Sequence, residues 1–318
     1  LRIAVLHGVV PPEAPPDEQD VLVEAEVVSS CLRSQGHTVE RIEFSLSLPD
    51  VIARLRGFAP DLAFNLVESV EGKGRLAYFA PGLLDSLGIP YTGCPAEAFF
   101  LTGSKTLAKR IMQQAGIPTP LWLSADSAVT ELDGSPWIVK SVWEHASIGI
   151  GQDNVVADSA LAAERIREGP DERFAERFIH GREFNLSLLG FKKQPELLPP
   201  AEIQFIDFPD GQYHIVDYRA KWDEQSFEYK NTVRTFQFGP DMEPVLNRLA
   251  LVASQCWTVF GLRGYARVDF RVDRNGEPWV LEVNTNPCIS PDGGLMAAAR
   301  EAGYDHGTVI ARIVAEAL

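Results

Sequence analysis

The 318-residue sequence predicts an α/β chain that continues into α+β units, and three observations carry that reading. Over residues 1 to about 93, apolar runs of strand length alternate with amphipathic stretches of helix length, the order of a parallel, doubly wound sheet. The middle of the chain instead strings strands together. Near the end, "ARVDFRVDRNGEPWVLEV" reads as a β-hairpin, Ala266 to Val272 and Pro278 to Val283, about a turn at Asp273–Gly276.

Taken in order, "RIAVL" is a strand, Glu18 to Gln35 an amphipathic helix and "TVERIEF" a second strand. Pro49 to Phe58 is helical, "LAFNLV" strand-like, and Arg75 to Leu87 helical before "GIPYTG". Ligands of such sheets meet the loops after the strand C-termini, here the acidic segments Gly8–Asp20 and Glu68–Gly74. Ser104 to Ala115 reads as a helix stopped by "GIPTP", with Gly at its end and Pro beyond. "PWIVKS" and "DNVVAD" are strands joined by "VWEHASIGIGQ", and "RFAERFI" and "REFNLSLLGF" are strands too. "YHIVDYRAKW" reads as a strand closed by Lys221, Ser226 to Thr232 as a polar loop, and Met242 to Phe260 and His306 to Leu318 as helices.

With 45% hydrophobic and 23% charged residues, the chain has the composition of a soluble protein of two or three packed units. No apolar run approaches the roughly 18 residues a membrane span needs. "LRIAVLHGVVPP" is too short, and too soon broken by proline, for a signal peptide. A net charge of −15 argues against non-specific nucleic-acid binding, which needs a basic surface, yet allows a local basic pocket. The four cysteines, Cys31, Cys94, Cys256 and Cys288, have no metal-ligand spacing and read as reduced thiols of a cytoplasmic protein.

The hairpin raises a chemical question. Glu282 and Asn284 lie two apart on its second arm, so a strand points both to one face. On the first arm Arg267, Asp269 and Arg271 share a face, which brings Asp269 near both across the ladder. Two carboxylates in close approach repel unless a cation lies between them, and an all-oxygen set beside an arginine suits Mg²⁺ that also holds substrate phosphates. The other reading is an exposed face of cross-strand charge pairs.

Further signals surround it. "KSVWEHASIGIGQDN" turns between strands through Ala146, Ser147, Gly149 and Gly151, and such a loop can aim backbone N–H groups at an anion. It lacks the Walker A pattern, and alone reads as a flexible hairpin turn. Lys105, Lys140 and Lys221 each stand at an element end; singly each reads as a surface charge, together as a phosphate cradle. In "ERFIHGREF", Phe178 and Ile179 between Glu176 and Glu183 offer an apolar slot flanked by acceptors, as an adenosine requires; an ordinary strand crossover is the alternative.

In this order the elements resemble the ATP-grasp superfamily, and within it the D-alanine–D-alanine ligases. The resemblance covers nearly the whole chain through "LGIPYTG", "SKTLAKRIMQQAGIPTP", "WIVKSVWEHASIGIG", "ERFIHGREFNLSLLG", "YRAKW", "GLRGYARVDFRVD" and "LEVNTNPCISP". It implies an ATP-grasp fold behind an N-terminal parallel-sheet domain: residues 1–93 on the substrate side, 94–180 a central subdomain with the phosphate loop, and 181–318 a C-terminal subdomain with the Mg²⁺ site. It implies ATP and Mg²⁺ as cofactors, amino-acid or peptide-like substrates, and a homodimer. Lys105, Lys140 and Lys221 match phosphate-contacting lysines, and Asp269, Glu282 and Asn284 match the metal ligands. Arg267 matches the arginine that steadies the acyl-phosphate and tetrahedral intermediate. Glu144, Ser147, Ile148, Gly149, Arg177, Phe178 and Ile179 fall on the nucleotide side, with Glu176 beside adenine and Glu183 at the ribose. Glu18 is the candidate grip for a substrate ammonium, with Glu68, Trp222, Cys288 and Gly293 also on the substrate side.

Three departures stand out. Ala146 replaces a serine of the family's loop, and Trp222 replaces a tyrosine, giving a donor without acceptor capacity. Gly293-Gly294 stands where the family carries Ser-Leu for the second D-alanine's carboxylate, and the two glycines suggest room for a bulkier substrate. The resemblance therefore implies an ADP-forming carboxylate–amine ligase acting on something other than D-alanine. A small-molecule kinase on the same scaffold and a non-catalytic nucleotide-binding regulator are the alternatives.

Overall fold

The computed structural model describes residues 1–127, 134–192 and 194–318. Its first part runs β1 (Arg2–Gly8), α1 (Pro16–Ser34), β2 (Thr38–Phe44), α2 (Leu48–Phe58), β3 (Leu62–Asn65) and α3 (Phe79–Leu87). The strands pair in parallel in the order β2-β1-β3, because the helical crossovers between them are long enough to return the chain. The helix expected over Arg75–Leu87 is instead a 3-10 turn, Gly74–Leu76, followed by α3. A break there holds Gly74 against the carbonyl of Trp143, which would lie 3.0 Å from a Cβ on that glycine.

Next come α4 (Ala96–Gly103), α5 (Lys105–Gln114), β4 (Trp122–Leu123), β5 (Trp137–Ser141), β6 (Val155–Val156), α6 (Ser159–Arg167) and β7 (Arg173–Arg177). The four strands form an antiparallel sheet, order β4-β7-β5-β6. Ser104 caps α5 by accepting from the Leu107 N–H, which fixes Lys105 as its first residue.

The last part contains β8 (Gly181–Phe191), β9 (Gln194–Leu197), β10 (Ala201–Phe205), α7 (Tyr218–Trp222), α8 (Phe227–Asn231), β11 (Thr232–Thr235), α9 (Glu243–Val259), β12 (Tyr265–Asp273), β13 (Pro278–Asn284), α10 (Gly294–Glu301) and α11 (His306–Glu316). Its sheet has the order β11-β10-β8-β12-β13, with β9 also on β8. Two expectations fail here. "YRAKW" is a short helix capped by Asp217, whose carboxylate accepts from the Ala220 N–H, and the loop expected over Ser226–Thr232 holds α8, capped by Ser226. Local capping outweighs the strand-like composition.

The hairpin forms as its sequence indicates. Asp273 accepts from the N–H groups of Asn275 and Glu277 and from the Trp279 indole, closing the turn. Alternation along β8 and β12 then splits the sheet into two faces. Phe184, Leu186, Leu188, Ala266, Val268, Phe270 and Val272 join the core under α9. The opposite face carries the pairs Arg267–Ser187, Asp269–Asn185 and Arg271–Glu183. On β13 a bulge at Leu281 breaks the register, so Val280 and Val283 both reach the core while Glu282 stands opposite Asp269 and Asn284 opposite Arg267. Among the described residues, no helix is long and apolar enough to cross a membrane.

Candidate active site

The polar face of β8, β12 and β13 is the floor of the site. Asp269 accepts two hydrogen bonds from Arg267, at 2.7 and 2.9 Å, and a third from Asn185 Nδ2 at 2.8 Å. Glu282 carries His145 on one oxygen, with Lys105 Nζ 3.7 Å from the other. Asn284 Oδ1 accepts from the Asn286 N–H at 2.9 Å, which leaves its amide oriented by its own turn. The register therefore brings together the three expected metal ligands. Among the described residues no three His, Cys, Asp or Glu side chains cluster, so this is a set of two carboxylates and a carboxamide. Its all-oxygen chemistry fits Mg²⁺, which binds few protein carboxylates and completes its shell with phosphate and water.

The charges are strongly coupled. Burial alone would raise the Glu282 carboxyl, but Lys105, His145 and Lys221 hold it well below the usual range. Burial and the neighbouring Arg267 push the Lys221 ammonium down, against the pull of Asp269, Glu282 and Glu183. Arg267 is opposed by its own desolvation, yet the charge and hydrogen bonds of Asp269 keep it above the ordinary arginine value.

The loop after β5 forms the roof. Ala146 and Ser147 adopt left-handed φ of 57° and 62°, and Gly149 adopts 69°. The Ser147 hydroxyl donates to the Val216 carbonyl at 2.7 Å, the Trp222 indole donates to the Ala146 carbonyl at 3.1 Å, and Lys105 donates to the Glu144 carbonyl. His145 at the tip reaches Glu282, so the loop lies closed over the floor. Ile148 lines the cleft beneath it together with Glu18, Glu68, Asn284 and Asn286.

Behind the roof, Glu176 is 1% exposed, with Lys140 and Lys109 each 2.6 Å from one of its oxygens. Both oxygens face ammonium groups, so the carboxylate holds the two lysines in position. Sequence reasoning missed Lys109, although it lies four after Lys105 and hence on the same helical face, and also His145 at the loop tip. Phe178 is buried against Ile138 and Ile215 and half-buried Tyr213, with Ile179 half-buried beside it. Glu183 lies 3.3 Å from Arg271 rather than standing free, and Arg177 sits opposite Trp137 in the sheet.

On the substrate side, Glu18 lies in the first turn of α1 and Glu68 in the loop after β3. The Glu68 side chain is exposed at the cleft mouth, yet crowding there and the charge of Asp20 raise its carboxyl to about 7, against Arg267 and Lys221. Cys288 donates to Asp20 at 3.1 Å, which ties the two sides together. Gly293 is a correction. A Cβ there would lie 2.8 Å from the Cys288 carbonyl oxygen and 3.0 Å from that of Ser290, so the backbone closes this position. The room lies at Gly294.

A cleft roofed by a small-residue loop over an oxygen-rich hairpin defines an ATP-grasp protein. A family model described as "D-ala D-ala ligase C-terminus" matches residues 111–315. The D-alanine–D-alanine ligase of Moorella thermoacetica is 32% identical, over 100% of this chain and 99% of that enzyme. The crystal structure of the D-alanine–D-alanine ligase from Bacillus anthracis superposes with a TM-score of 0.76 at 25% identity, covering 100% of this chain and 97% of that one. A second structure of that Bacillus anthracis enzyme, complexed with ATP, gives a TM-score of 0.75 at 23% identity, covering 99% of this chain and 97% of that one. The chain belongs to the D-alanine–D-alanine ligase family, and with it to the ADP-forming carbon–nitrogen ligases.

Proposed function

We propose that the protein uses ATP and Mg²⁺ to join an amino-acid or peptide-like carboxylate to an amine, with at least one substrate other than D-alanine. The observation that carries this is the convergence on one polar sheet face of Asp269, Glu282 and Asn284 with Lys105, Lys221 and Arg267, under a closed loop. Asp269, Glu282 and Asn284 would hold the metal, which when bound neutralises phosphate charge. Lys105, Lys140 and Lys221 would cradle the phosphates, with Lys140 steadied by Glu176. Arg267 is placed to stabilise the negative charge that develops when an amine attacks the activated carboxyl, with Asp269 fixing its orientation. Phe178 and Ile179 offer the apolar side of a base slot, and Glu18 an anion for a substrate ammonium.

The substrate difference rests on the groups around that centre. Ala146 has no hydroxyl, the Trp222 N–H is already spent on the Ala146 carbonyl, and Gly293 offers no side chain. The family resemblance also implies a homodimer, which light scattering on the intact chain would check. The ligase reading is tested by assaying ADP formation with a panel of amino acids and dipeptides, singly and in pairs, with mass detection of the product. An amide formed in proportion to ADP, and only when an amine is present, is the expected outcome. ADP with a stable phosphorylated product and no need for an amine would assign a kinase instead.

A further inference from the structure

Arg271 lies directly opposite Glu183 in the ladder of β12 on β8, and it is buried there. Its guanidinium carbon stands over the Phe178 ring, 5.1 Å from the centroid. Nη1 donates to the Gly181 carbonyl at 3.1 Å, and Nη2 donates to that of His214. One arginine therefore ties together the connection from β7 to β8 and the segment that leads into α7. The same Nη2 is 3.3 Å from Glu183 Oε2, in an ion pair whose side chains are 5% and 12% exposed. Among the described residues no hydrogen bond reaches the Glu183 carboxylate. Burial raises its carboxyl, and Arg271 is the largest of the charges that oppose this, ahead of Lys140 and Lys221.

We infer that Arg271 is a positioning residue of the nucleotide site, which holds Glu183 in place with its acceptors open and thereby makes the site select a ribonucleotide over its deoxy counterparts. The inference rests on the ligase reading and deepens it by naming the nucleotide class and the residue behind that choice. A buried carboxylate needs a counter-charge, and an arginine that covered both oxygens would leave nothing for a ligand. Arg271 supplies the charge while its own hydrogen bonds go to two backbone carbonyls. Glu183 is left as a pure acceptor beside the apolar slot of Phe178, Ile138 and Ile215. The 2′ and 3′ hydroxyls of a ribose are two donors on neighbouring carbons, and a carboxylate offers two oxygens to them. A sugar that lacks one hydroxyl leaves a buried acceptor unpaired, which such a site disfavours strongly. Arg271 acts through Glu183, because Phe178 and the two carbonyls cover the guanidinium itself. A lysine would keep the charge but lose the fixed fork that reaches both carbonyls.

The test is calorimetric titration of the intact chain with ATP, 2′-deoxy-ATP and 3′-deoxy-ATP, each with Mg²⁺ and without amino acid. Wild type should bind ATP roughly tenfold or more tightly than at least one deoxy nucleotide, the worth of one hydrogen bond to a charged group. Arg271→Met should weaken ATP selectively and bring that ratio close to one, and Arg271→Lys should restore part of it. Equal binding of all three nucleotides by wild type overturns the inference while leaving the ligase reading intact. So does an undiminished ratio in Arg271→Met, because equal weakening of every nucleotide would mark a collapsed slot and not a lost ribose contact. Should thermal melting show that Arg271→Met does not fold, Arg271→Lys decides: a ratio between that of wild type and one is expected, and the wild-type ratio overturns the inference. Failure of the wild type to bind any of the three overturns the ligase reading and this inference together.

Discussion

Replacing Lys109 with methionine should destabilise the protein while leaving the cleft-facing groups in place. Lys109 is fully buried, and its ammonium contacts Glu176 at 2.6 Å and the Thr119 hydroxyl at 2.7 Å. Thr119 in turn donates to the Val280 carbonyl at 2.8 Å, so one lysine joins α5 to the central sheet and to the metal-ligand strand. Its removal leaves Glu176 buried with one cation instead of two. Breaking a buried ion pair costs about 3–5 kcal/mol, and because Lys140 remains on the other oxygen the loss should lie near about 3 kcal/mol. Equilibrium urea unfolding followed by tryptophan fluorescence measures it. The sign of the pH dependence follows from Glu176. Desolvation opposes its charge, but Lys109 and Lys140 hold its folded carboxyl below the ordinary value of 4.5. The stabilisation is therefore present above that value and lost as pH falls through the lower, folded one, so wild type and variant should converge in acid. A loss under about 1 kcal/mol near neutrality would refute the argument, because it would mean that Glu176 keeps its charge at little cost without Lys109.

Three further outcomes are expected. Glu68 has its folded carboxyl raised to about 7, so its contribution is complete below the ordinary value of 4.5 and lost as pH rises through about 7; Glu68→Gln should flatten the fall in melting temperature across that window, and identical profiles would contradict it. Gly293→Ala should cost about 1–3 kcal/mol in urea unfolding because two backbone carbonyls must move, whereas Gly294→Ala meets ordinary contacts and should stay within about 0.5 kcal/mol; equal effects would refute the distinction. D-alanine as sole substrate should release phosphate slowly, since two lost hydrogen bonds to charged groups, worth roughly 1.5–3 kcal/mol each, amount to roughly two to four orders of magnitude; robust D-alanyl-D-alanine formation would show that the substitutions at Ala146, Trp222 and Gly293 do not set specificity.

The hairpin was legible because its turn residues, its alternation and its Glu–x–Asn spacing are all local. Opposition of Asp269 to Glu282 followed from that pairing. The bulge at Leu281 was not legible: it shows only as Val280 and Val283, three apart, both facing the core. The helix α7 was missed because "YHIVDYRAKW" has strand composition, while its start is set by one hydrogen bond to Asp217. The lysine pair around Glu176 was missed for a related reason. The burial of Glu176 depends on Lys109 arriving from α5, a contact between residues 67 apart that no local pattern encodes. His145 is a surface-type residue in sequence, and only the closed loop brings it to the centre.

The account stands most directly on Glu282. Its carboxylate meets Lys105 and His145 in the closed cleft and is the proposed ligand through which Mg²⁺ orders the phosphates. Glu282→Gln keeps the shape and removes the charge, so the fold should survive, as circular dichroism would verify. ADP formation with the best substrate pair, measured across a Mg²⁺ titration, should fall by roughly a hundredfold or more at every concentration, with the midpoint displaced to higher Mg²⁺. ADP formation at the wild-type rate and with the wild-type Mg²⁺ midpoint would contradict the assignment of this hairpin as the metal site.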